Sequence, residues 1–81
     1  MHIDNLVKMA NNIGAFFQAE PDRATAVHGV VDHIRKFWDP RMRKQIIEYY
    51  REGGAGLSEI VSQAVKQLAE DAVSLAESGD G

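Results

Sequence analysis

Apolar residues fall along the chain in four runs with helical spacing. Ile3, Leu6, Val7, Ala10, Ile13, Gly14 and Phe17 recur at intervals of three and four, the spacing of one helical face, while Asn5, Lys8, Asn12 and Ala15 fall elsewhere. This predicts a first helix over residues 4–19. Asp4 caps it or sits in its first turn, where a carboxylate suits the helix dipole. Glu20 marks the stop, because the residue before Pro21 is pushed out of helical geometry. Ala24, Val27, Val30, Val31, Ile34, Phe37 and Trp38 define a second helix over 22–38 with Asp22 as its cap.

Asp39 then reads as the cap of a third helix over 40–52. Pro40 stands at its first position, where the missing N–H is harmless and the fixed φ is already suitable. Met42, Ile46, Ile47, Tyr49 and Tyr50 form its apolar side, and Gly53-Gly54 stops it. A fourth helix over 58–76 begins at Ser58 as a capping serine and carries Ile60, Val61, Ala64, Val65, Leu68, Ala72 and Leu75. Residues 78–81 are expected to fray. No repeat and no strand-like alternation competes. The prediction is a small all-α domain spanning 1–81, four helices in an irregular bundle, with the Trp38-Asp39-Pro40 turn open to an angled or an antiparallel hairpin.

Composition narrows the function classes. A chain of 81 residues buries only ~60% of the surface its unfolded form exposes, so such a domain gains from a partner. It has no cysteine, which removes disulfides, thiolate metal sites and a Cys nucleophile. The formal net charge is -3, which disfavours general nucleic-acid binding. Met1-His2-Ile3-Asp4 has neither a basic start nor an apolar run, so a cytoplasmic protein without a membrane span is expected.

Catalytic motifs are scarce. No Gly-x-Ser-x-Gly elbow surrounds a serine, and Gly53-Gly54-Ala55-Gly56 is not a phosphate cradle. His28 and Asp32 share a helix face as a surface pair, but His33 lies five positions from His28 and diverges from the spacing two helical imidazoles need to share one ion. No catalytic, metal or cofactor-binding residue is assigned. Against the acidic background, five of the nine Lys and Arg residues, Arg35, Lys36, Arg41, Arg43 and Lys44, lie within positions 35–44. They surround a helix start that favours an anion, and they fit equally a solvated face or a docking surface. Phe16-Phe17, Phe37-Trp38 and Tyr49-Tyr50 are adjacent pairs whose members point about 100° apart on a helix. They therefore imply more aromatic surface than a small core hides. His33, Phe37, Trp38, Arg41, Met42 and Arg43 are the predicted partner-binding residues, with the composition of an interface hot spot. His33 has two readings, support of the turn or part of the docking surface.

Three blocks of the sequence resemble the delta subunit of NAD-dependent, molybdenum-containing formate dehydrogenases. They are Leu6 to Phe17, His33-Ile34-Arg35-Lys36-Phe37-Trp38-Asp39-Pro40-Arg41-Met42-Arg43, and the looser Gly56-Leu57-Ser58 to Ala64; the middle block is the specific one. The resemblance implies a non-catalytic accessory subunit that binds the molybdenum-bearing catalytic (alpha) subunit and supports its assembly, stability or cofactor maturation. It implies molybdopterin guanine dinucleotide, iron–sulfur clusters, FMN and NAD in the holoenzyme, with none bound by this chain. Two alternatives remain: a maturation chaperone binding the phosphates of the pterin dinucleotide, and a local nucleic-acid module. An isolated copy is expected to self-associate if its apolar interface lacks a partner.

Overall fold

A computed structural model gives the fold, describing residues 2–80 and the side chains of residues 2–72. Four helices follow in order: α1 (Ile3–Phe17), α2 (Arg23–Phe37), α3 (Pro40–Arg51) and α4 (Glu59–Asp80). The all-α architecture is as the periodicity predicts, and no strand occurs among the described residues. The boundaries differ by a few residues. His2 caps α1, its Nδ1 accepting from the Asp4 N–H at 3.2 Å, so Asp4 lies in the first turn. α1 ends at Phe17 rather than Ala19. α4 continues to Asp80, past the expected end near Ala76; the expected fraying over 78–81 falls on side chains outside the described residues, and Gly81 lies outside them altogether.

The core forms where the four apolar faces meet. Leu6, Ile34, Ile46, Ile60, Val30, Val61 and Val65 are its largest fully sealed side chains, drawn from every helix. At about 1.5–3 kcal/mol for each buried aliphatic side chain, this shared core is the main favourable term of the fold. α2 packs most extensively on α4, whereas the consecutive helices α2 and α3 touch least of any pair. The Trp38-Asp39-Pro40 corner is therefore angled, and α4 fills the space between the two helices it joins. Two ion pairs fix the direction of α4 against α2. Arg23 meets Glu59 at 3.2 Å near the start of each helix, and Arg35 meets Asp71 twelve residues further along both. The two helices consequently run parallel.

Close approach of α1 and α4 depends on Gly14. A Cβ there would lie 2.7 Å from Val61 Cγ2 and 3.0 Å from Ile60 Cγ2, closer than packed side chains tolerate. Below this contact, Asn11 of α1 reaches the α3–α4 connection with both ends of its amide. Its Nδ2 donates to the Gly56 carbonyl at 2.9 Å, and its Oδ1 accepts from the Ser58 N–H at 3.0 Å. The connection itself starts with Gly53 and Gly54 at φ 123° and 61°, and their N–H groups satisfy the last carbonyls of α3 at Tyr50 and Tyr49. Ser58 departs from its expected role. Its Oγ is buried beside α1 and makes no hydrogen bond among the described residues, so the serine does not cap α4 through its side chain.

Candidate docking site

The corner between α2 and α3 is built from local chemistry. Asp39 is extended, as a residue before proline must be, and its Oδ1 accepts from the Met42 N–H at 3.0 Å. Pro40 opens α3 at the first position, as its missing donor allows. Trp38 leaves α2 in extended geometry, its N–H still bonded to the Ile34 carbonyl. This turns the indole into the core, where Trp38 is only 4% exposed.

The six predicted partner-binding residues therefore separate into inward and outward sets. Trp38 is a core residue of this chain, and Met42 packs half-buried against that core. Arg43 is half-buried and aims back at α2. Its Nη1 donates to the Trp38 carbonyl and, at 3.4 Å, to the Arg35 carbonyl, both left over at a helix end. Phe37 and Arg41 remain outside. Phe37 is 71% exposed, with its ring 4.7 Å from that of His33, one turn earlier on α2. The half-buried His33 thus lies against the exposed ring.

The basic cluster divides in the same way. Arg35 is paired with Asp71, and Lys36 with Asp32 at 2.9 Å, so the carboxylate of Asp32 meets a lysine rather than His28. With Arg43 on the α2 carbonyls, three of the five cations serve internal contacts. Arg41 and Lys44 are exposed and have no ion-pair partner among the described residues. The inward use of Arg43 carries no sequence signal, because its targets are main-chain carbonyls.

The aromatic doublets resolve similarly. Phe16 is 77% exposed and meets the half-buried Phe17 edge-on at 5.1 Å, so each phenylalanine-containing pair sends one ring inward and one outward. Tyr49 and Tyr50 are both half-buried, the Tyr49 hydroxyl donating to the Ala55 carbonyl. Among the described residues, no group of three or more His, Asp or Glu is placed to hold a metal ion, and no helix is long and apolar enough to cross a membrane.

No curated protein and no solved structure matches the chain. A family model does: that described as "NADH-dependant formate dehydrogenase delta subunit FdsD" matches residues 5–65. The matched span contains Asn11 and Gly14 on α1, the whole α2–α3 corner and the first turns of α4, the elements that position the exposed Phe37 and Arg41. The chain belongs to the delta-subunit family of NADH-dependent formate dehydrogenases.

Proposed function

We propose that this chain is an accessory subunit that docks on the molybdenum-bearing catalytic subunit of its formate dehydrogenase through the outward half of the α2–α3 corner. The observation that carries the reading is the exposed Phe37 ring, backed by His33 and followed by the exposed Arg41. An aromatic ring and an arginine on a rigid support are the residue types that dominate binding energy at protein interfaces. The corner beneath them is fixed before any partner arrives, by the Asp39 cap and the Arg43 contacts, so little ordering entropy opposes docking.

In this reading the chain supports assembly, stability or cofactor maturation, and the chemistry is left to the other subunits. Molybdopterin guanine dinucleotide, iron–sulfur clusters, FMN and NAD belong to the holoenzyme, and the absence of cysteine fits a chain that ligates no cluster. A protein contact suits the corner better than the phosphates of the pterin dinucleotide. The Asp39 carboxylate already occupies the Met42 N–H at the start of α3, and Arg43 is turned toward carbonyls.

Co-expression of the tagged catalytic subunit with this chain tests the proposal. The unaltered chain co-purifies, and a chain carrying Phe37→Ala with Arg41→Glu is lost from the complex while its helical circular dichroism is unchanged. Full retention of the folded double variant would remove the corner from the interface.

A further inference from the structure

Phe16 and Phe37 are the large hydrophobic side chains left exposed among the described residues, and a row of neighbouring residues joins them. Phe16 meets Phe17 edge-on at 5.1 Å. The Phe17 ring lies on Gly29 of α2, where a Cβ would come within 2.5 Å of it. Gly29, His33 and Phe37 then follow at intervals of four along one side of α2, about 12 Å from first to last, and the His33 ring neighbours that of Phe37. Phe17, Gly29 and His33 are half-buried, so the row keeps some surface along its whole length.

We infer that this strip is the apolar centre of the dock, with Phe16 as its second anchor, and that it receives an uncharged, apolar surface of the catalytic subunit. The inference rests on docking through the α2–α3 corner and extends it onto α1. Area calls for an extension. A stable protein interface covers ~800 Å² per partner, and an aromatic side chain supplies ~150–250 Å², so Phe37 and Arg41 do not make a dock alone. The strip leads from Phe37 to the other exposed phenylalanine.

Charge selects the occupant. Residues 9–19, which carry the α1 part of the strip, contain no Asp, Glu, Lys or Arg, although 26% of the chain is charged. On α2, Asp32 and Lys36 stand next in sequence to His33 and Phe37 and pair with each other at 2.9 Å, so they bring no net charge to its border. Depletion of charge at the centre, with charges kept to the rim, is what sets an interface core apart from ordinary surface. An acidic or basic segment would lose hydration on this strip and gain no counter-charge.

The test measures the affinity of the 81-residue chain for the purified catalytic subunit, with the melting temperature of each variant. Phe16→Ala is expected to weaken binding roughly tenfold. Phe16→Lys weakens it further, because a cation suits the end of a helix but not a dry interface, and both variants melt as the unaltered chain does. Full affinity of both folded Phe16 variants, with Phe37→Ala/Arg41→Glu still lost from the complex, overturns the inference and leaves the corner as the dock. Weakening by the Phe16 variants alone, with Phe37→Ala/Arg41→Glu fully retained, overturns both readings, since the strip would not be one surface. Sedimentation of the isolated chain covers the other occupant. A dimer that Phe16→Ala dissociates, together with unchanged affinity for the catalytic subunit, assigns the strip to a second copy and overturns the inference.

Discussion

The α2–α3 and α3–α4 connections solve one problem, reversing the chain beside a small core, by different means. The first has no loop: Asp39 caps the new helix, Pro40 presets its φ, and Arg43 turns back onto the carbonyls of the helix just ended. Every group that closes it lies within nine residues of sequence, from Arg35 to Arg43. The second uses glycines at positive φ and is pinned by Asn11, whose partners Gly56 and Ser58 stand 45 and 47 positions away. A locally closed joint can keep its shape while presenting side chains outward. A remotely pinned joint depends on the rest of the fold being in place. The exposed Phe37 and Arg41 sit on the joint of the first kind, which suits a docking surface.

Removing the core anchor of the first joint has the largest expected effect. Trp38→Ala leaves a cavity beneath the corner and costs about 3–5 kcal/mol, read as a lower midpoint in urea denaturation. Retention of normal stability would place the indole outside the core. The next experiment breaks the remote joint alone. Asn11→Ala strands the Gly56 carbonyl and the Ser58 N–H, at a cost of about 1–3 kcal/mol. Hydrogen exchange should then quicken at residues 56–58 before it does at 38–43. Equal acceleration at both joints would show that they are one cooperative unit.

Asn11 also marks where sequence reasoning ends. The helices were legible because their signals are short-range: the 3.6-residue period, Asp22 and Asp39 as caps, Pro40 at a helix start and paired glycines at a stop. Asn11 is one polar residue among several on α1, and nothing in the chain links it to a loop 45 residues later. Ser58 departs for the related reason that its place at the helix start suggests a cap, whereas its hydroxyl faces α1 in the fold. Phe37 and Trp38 stand three and four residues after Ile34, so periodicity admits both to the core. What separates them is the extended backbone of Trp38 at the helix end, a property of the folded corner. The density of cations at 35–44 was visible, but which would be consumed by Asp32, Asp71 and main-chain carbonyls was not.

The smallest effect concerns the start of α2 and extends the comparison to a cap without a staple. The hydroxyl and then the N–H of Thr25 hold the Asp22 carboxyl below its usual range. A folded-state pKa lower than the unfolded one means that the unfolded chain binds the extra proton. The contribution is therefore complete above the ordinary carboxylate range and lost as pH falls through the depressed value. Asp22→Asn keeps a capping oxygen and should flatten this part of the acid limb of a melting-temperature profile. An unchanged limb would mean that the cap is not formed in solution.

The central claim is the division of the corner into a scaffold and a surface. Its most direct test measures, for Phe37→Ala and Arg43→Ala side by side, the melting temperature of the chain and its affinity for the catalytic subunit. The account predicts that Phe37→Ala melts normally and loses ~2 kcal/mol of binding, roughly thirtyfold, while Arg43→Ala melts early. A Phe37→Ala chain that binds with full affinity, or an Arg43→Ala chain with undiminished stability, would contradict it.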